Sequence, residues 1–183
     1  MIFHQQQCPN GLTIIGEVIP EARSAAVGFF VRTGSRDETV EESGVSHFLE
    51  HMMFKGSKKR DAAQVNKDFD KIGANYNAFT SEENTVYYAS TLPEYHLAAT
   101  EILADILRPS LRSADFEMEK KVIIEEIGMY EDNPGWMVFD HARKLFFADH
   151  PLGNSVLGSN QSIMDLKRDQ MVDYFQRRYI PSN

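Results

Sequence analysis

Ser46-His47-Phe48-Leu49-Glu50-His51-Met52 places two imidazoles and a carboxylate within five residues. If the stretch is helical, His47 and His51 are i and i+4 partners on one face, one turn apart. Two imidazoles so placed can chelate a single metal ion, and Glu50, on the same side, can activate a water held by that ion. The order His-x-x-Glu-His reverses the commoner His-Glu-x-x-His arrangement. Val45, Phe48, Leu49, Met52 and Met53 recur at helical spacing and predict the buried stripe. The competing reading of these five residues is an amphipathic helix that merely happens to carry them, so the rest of the chain has to decide.

Zinc in a catalytic site takes three protein ligands and keeps one position for water. His47 and His51 supply two. The acidic segment 115–131 is the candidate donor of the third. Glu119 and Glu126 are seven residues apart, two helical turns, and share a face. Glu125 points about 100° away from Glu126. Of two carboxylates facing a metal, one can bind it while the other hydrogen-bonds a ligand. Spacing alone leaves Glu119 and Glu126 both open, and a plain solvated acidic face is the bland alternative.

The elements that must position these groups follow from hydrophobic period and turn signals. Strands are predicted over 2–7, 12–19 and 24–31, the first two joined by the Pro9-Asn10-Gly11 turn. The helix with the two histidines begins near Ser43. A basic loop, 55–60, leads to a helix over 61–72 with Asp61 as N-cap and Gly73 just past its end. Strands over 74–80 and 85–91 form a hairpin about Ser81–Asn84. Helices are predicted over 93–107, from Ser113 or Asp115 to Glu131, over 136–147 after a break at Pro134, and over 166–179, with a loop through His150-Pro151-Leu152-Gly153. Tyr87 and Tyr88 point to opposite faces, so one belongs to the core. Trp136, Phe139, Phe146 and Phe147 read as core or interface. His4, His96, His141 and His150 lack partner carboxylates at ligand spacing. Strands first and helices after make the class α+β.

The length of 183 residues suits one domain. A net charge of −8 argues against a nucleic-acid partner, which calls for a basic face. Cys8 is the single cysteine, so no internal disulfide forms and a reducing compartment is the simple expectation. No apolar run is long enough for a membrane helix, and no basic-then-apolar leader opens the chain. A cytoplasmic protein with no membrane partner is expected.

Further words join the first in order: Pro9-Asn10-Gly11-Leu12, Gly34-Ser35-Arg36, Gly44-Val45 before the histidine word, Phe54-Lys55-Gly56-Ser57, Asn77-Ala78-Phe79-Thr80-Ser81, the run from Glu119 to Ile127, and His150-Pro151-Leu152-Gly153. With these, essentially the whole chain resembles the amino-terminal domain of the M16 metallopeptidases, the inverzincin family of pitrilysin, insulin-degrading enzyme and the mitochondrial processing peptidase β-subunit. The resemblance implies a two-layer domain, a mostly antiparallel sheet packed against helices, in the LuxS/MPP-like metallohydrolase fold. It implies a zinc-dependent endopeptidase. His47, His51 and Glu126 match the zinc ligands. Glu50 matches the general base, and Glu119 the acidic residue that assists from behind the ligands. Asn77, Ala78 and Phe79 match an edge strand that pairs with an extended peptide or unfolded protein substrate. It also implies a second M16 domain, a partner subunit or a homodimer. On this reading the chain stops before the last strand of its domain and lacks the second homologous half. The alternatives are a non-catalytic scaffold of the same family and a peptide-binding subunit.

Overall fold

Five strands, most of them rich in β-branched and aromatic residues, pair in two separate antiparallel sheets in the computed structural model, whose described residues are 2–183. The strands are β1 Ile2–Gln7, β2 Thr13–Val18, β3 Ala25–Val31, β4 Asn75–Thr80 and β5 Thr85–Thr91. The helices are α1 Val45–Met53, α2 Ala62–Lys71, α3 His96–Ile106, α4 Ser113–Glu131, α5 Pro134–Phe147, α6 Asn160–Asp165 and α7 Arg168–Arg178. The class is α+β, as expected, but the strands do not share one sheet. β1 and β2 form a hairpin of their own, in register from Ile2↔Val18 to Gln7↔Thr13. The other sheet has the order β3-β5-β4, with Phe29↔Tyr87 and Ala78↔Tyr87 opposite one another.

The core lies between one face of the three-stranded sheet and the helices. Val45, Phe48, Leu49, Met52 and Met53 of α1 are all buried, as their spacing predicts. Each such side chain contributes roughly 1.5–3 kcal/mol on burial. Phe48 stacks on Phe116 of α4 with ring centroids 4.7 Å apart, fixing the approach of the two helices that carry the acid and imidazole groups. From the sheet, Tyr87 and Ala89 of β5 and Ala78 of β4 join this cluster. Tyr88 is turned out, so Tyr87 is the core member of the pair.

Local signals account for most boundaries. Asp61 accepts from the Gln64 backbone N–H at 2.8 Å and caps α2, and Gly73, at φ +61°, follows its end. Four expectations need correction. The break at Pro134 stands, but the helix expected from 136 starts at Pro134 itself, the first position of α5, where its missing N–H costs nothing, and Asn133 caps the helix by accepting from Gly135 N at 3.0 Å. Neither Ser113 nor Asp115 caps α4, whose N-cap is Arg112. The helix expected over 166–179 is α7, but the stretch before it, expected as loop, holds the short α6, which Ser159 and Ser162 start with a capping box. Finally, α5 buries none of its residues: of the readings core or interface, Trp136, Phe139 and Phe146 are exposed and not core. No described helix is long and apolar enough to cross a membrane.

Candidate metal centre and cleft

The nine residues of α1 present His47, Glu50 and His51 together because an acidic group outside the helix holds its first turn. The Glu38 carboxylate accepts from the backbone N–H groups of Gly44 at 2.7 Å and Ser46 at 2.8 Å, replacing a local cap. Burial pushes the Glu38 carboxyl up to about 7 even though those two N–H donors pull the other way. Gly44 itself turns at φ +89°, and a Cβ there would meet Leu157 O and Ile163 Cδ1 at 2.7 Å. The entry to α1 therefore has no room for another residue type.

His47 and His51 stand one turn apart with ring centroids separated by 4.7 Å. Glu126 comes across from α4. Its Oε1 lies 3.7 Å from His47 Nε2 and its Oε2 3.4 Å from His51 Nε2. These separations are long for hydrogen bonds. They suit donors that share a cation, since two ligand atoms about 2.0–2.1 Å from one tetrahedral ion stand roughly 3.4 Å apart. One donor atom from each of the three residues falls within 4.8 Å of the others. His47 is buried, and burial followed by the nearby His51 lowers its pKa to about 3, so the ring stays neutral and able to ligate. Its Nδ1 is buried without a hydrogen-bond partner among the described residues, which leaves Nε2 as the atom directed at the cluster. The donor set, two imidazoles and a carboxylate, is one that zinc takes.

Glu119 is not in this cluster. It sits behind His51, 3% exposed, and its Oε1 is 2.9 Å from His51 Nδ1. The Lys55 ammonium, just past the end of α1, lies 2.5 Å from the other oxygen, Oε2. Burial works to raise the Glu119 carboxyl, but the His51 hydrogen bond and Lys55 outweigh it and hold it low. Burial likewise works against a charge on His51, and the Glu119 hydrogen bond with the Glu126 and Glu50 charges overrides it, raising that ring. Glu125 is exposed and faces away, as helical geometry requires.

A cleft of about 370 Å³ opens over the cluster, lined by His47, Glu50, His51 and Glu126 and, on the far side, by Ala78, Phe79 and Thr80 of β4. Burial raises the Glu50 carboxyl above its usual range, against the pull of Thr80, whose hydroxyl donates to Glu50 Oε2 at 2.6 Å. Asn77 does not line the cleft; its Oδ1 accepts from the Ala78 N–H at 2.9 Å. β4 is the outer strand of its sheet, and no described strand pairs with its free edge.

Sequence reasoning missed Thr80, Lys55 and Glu38. Thr80 was readable, because it lies two residues beyond Ala78 and so on the same face of β4. Lys55 and Glu38 gave no local signal; their partners are 64 and 6–8 residues away. Tyr130, Asp140 and Arg143 also border the cleft, where Arg143 pairs with Asp140 and with Glu82. Arg36 pairs with Glu83 on the surface.

A family model described as Insulinase (Peptidase family M16) matches residues 13–160. An uncharacterized zinc protease, YmxG, of Bacillus subtilis is 41% identical over 95% of this chain and 43% of its own length. The mitochondrial-processing peptidase subunit beta of Saccharomyces cerevisiae is 43% identical over 93% of this chain and 37% of its own length. The chain thus spans about two fifths of the relatives it matches. Among solved structures, a protease from Helicobacter pylori superposes on the whole chain with a TM-score of 0.94 at 24% identity, covering 44% of that protease, and so shares its fold.

Proposed function

The chain belongs to peptidase family M16, and from that premise we propose that it carries the zinc site of an endopeptidase that cuts extended peptides or unfolded proteins. What supports the reading is one cluster: His47, His51 and Glu126 donors within 4.8 Å of one another, with Glu50 in the same cleft. His47, His51 and Glu126 would hold the ion. Bound zinc would supply an electrophile for the scissile carbonyl and acidify a water.

The protein's own groups do the rest. Glu50 takes the proton of the attacking water and returns it to the leaving amine. Thr80 holds Glu50 through its hydroxyl. Glu119 fixes the tautomer of His51 by accepting from Nδ1, so that Nε2 is the ligating nitrogen. The free edge of β4 takes the substrate backbone as an added strand, with Ala78 and Phe79 bordering the cleft and Asn77 holding the Ala78 N–H. The remaining part of the longer protein, or a partner subunit, closes over this face.

The test is made on the longer protein. Chelation abolishes cleavage of an unfolded reporter peptide, zinc restores it, and Glu50→Gln retains zinc but loses at least about 100-fold in turnover. A Glu50→Gln variant that cuts at the parent rate would overturn the assignment. Zinc bound without any cleavage would leave a peptide-binding subunit instead.

A further inference from the structure

Behind His51, the carboxylate of Glu119 is shared between two partners on α1 and just beyond it. Oε1 meets His51 Nδ1 at 2.9 Å, and Oε2 meets Lys55 Nζ at 2.5 Å. The Glu119 side chain is only 4% exposed, against 31% for Lys55. Among the described residues, the Lys55 ammonium is the one group that meets Oε2, so this ion pair is its sole compensation. A buried carboxylate oxygen left without a donor or counter-charge is strongly disfavoured, enough to turn the group toward whatever can satisfy it.

Lys55 is itself anchored at both ends of its peptide unit. Its N–H donates to Met52 O at 3.2 Å, continuing the turn that ends α1. Its C=O accepts from Arg112 Nη2 at 2.5 Å, and Arg112 is the N-cap of α4, the helix that carries Glu119. The ammonium is thus delivered from a fixed point between the two helices that make the cluster.

We propose that Lys55 is a positioning residue for the metal site: it holds the Glu119 carboxylate in the orientation that presents Oε1 to His51 Nδ1, and through His51 it raises zinc affinity. This rests on the reading of His47, His51 and Glu126 as zinc ligands. The sign of the effect separates it from simple electrostatics. A lysine acting only as a positive charge near a cation opposes zinc, and its removal tightens binding. A lysine acting through Glu119 supports zinc, and its removal weakens binding.

The experiment measures zinc affinity by competition with a chromophoric chelator, in the parent and in Lys55→Met, Lys55→Arg, Glu119→Gln and the double variant Lys55→Met/Glu119→Gln. Loss of an outer partner of a ligating histidine weakens zinc by roughly 10–100-fold, and Lys55→Met is expected at about the lower end of that range. Lys55→Arg, which keeps a cation of similar reach, restores affinity to within about 3-fold of the parent. In the Glu119→Gln background Lys55→Met has no further effect, since the group it acts through is gone. The His51 Nδ1 proton, followed by nitrogen-15 NMR, loses its hydrogen-bonded shift in Lys55→Met and keeps it in Lys55→Arg. Unchanged or tighter zinc in Lys55→Met, or an equal loss in both backgrounds, overturns the inference while leaving the zinc site standing. A parent chain that binds no zinc overturns both. Should Lys55→Met fail to fold, Lys55→Gln, alone and combined with Glu119→Gln, gives the same readout.

Discussion

At the scale of single residues, the two acidic groups of α4 have different work because they meet different atoms of the same ring. Glu119 meets His51 Nδ1, and Glu126 lies toward His51 Nε2 and His47 Nε2. Glu126→Gln is therefore expected to weaken zinc by more than the roughly 10–100-fold of an outer partner, while Glu125→Gln leaves it near the parent value. Isothermal titration of both variants decides this, and the reverse ranking would mean the wrong carboxylate has been assigned. The i,i+4 histidines, the stripe beneath them and the Glu119/Glu126 pair were legible in the sequence, because helical period alone sets which residues share a face. Thr80 lay within reach of the same reasoning. Lys55 and Glu38 did not, since an ion pair to another element and a cap supplied from outside the helix leave no periodic trace.

At the scale of elements, α1 depends on the segment before it. Its N-terminus is closed by Glu38 from six to eight residues away and by a positive-φ glycine packed against Leu157 O. Glu38 ionises near 4.5 when unfolded and at about 7 in the fold. Between those values the unfolded chain releases a proton that the folded chain keeps, so the Glu38 contribution falls as pH rises through this window and is level above it. The full change is roughly 3 kcal/mol at 1.36 kcal/mol per unit. Urea unfolding of the parent and of Glu38→Gln from pH 4 to 8 should show the parent losing ground to the variant by about that much, with most of the change between pH 5 and 7. A constant difference across the range would show that Glu38 does not titrate there. Boundaries at Asp61 and Gly73 were readable from turn and cap chemistry. The start of α6 was not, because a serine capping box carries a weaker signal than an acidic one and the preceding loop is rich in glycine and serine.

At the scale of the whole molecule, the two sheets differ in how they are held. β5 runs between β3 and β4 and carries the buried Tyr87 and Ala89. The β1–β2 hairpin stands apart, with Phe3, Ile14 and Ile15 exposed, and a lone hairpin is marginal in water. Backbone amides of β1 and β2 are expected to exchange with deuterium within seconds to minutes, while those of β5 persist to the limit of global unfolding. Equal protection would mean that the hairpin is covered in solution. The sequence by itself determined the α+β class, the order of the elements apart from α6, the histidine–glutamate helix and the family to which the chain belongs, because these rest on local period, turn chemistry and words read in order. The tertiary structure decided the rest. Glu119 and Glu126 occupy one face of α4 and are equivalent in sequence spacing; the stacking of Phe48 on Phe116 sets how α4 lies against α1, so that Glu119 is sunk behind His51 beside Lys55 and Glu126 is left at the cleft. The separation of the strands into two sheets is likewise a matter of long-range pairing, which the alternation within any one strand does not encode.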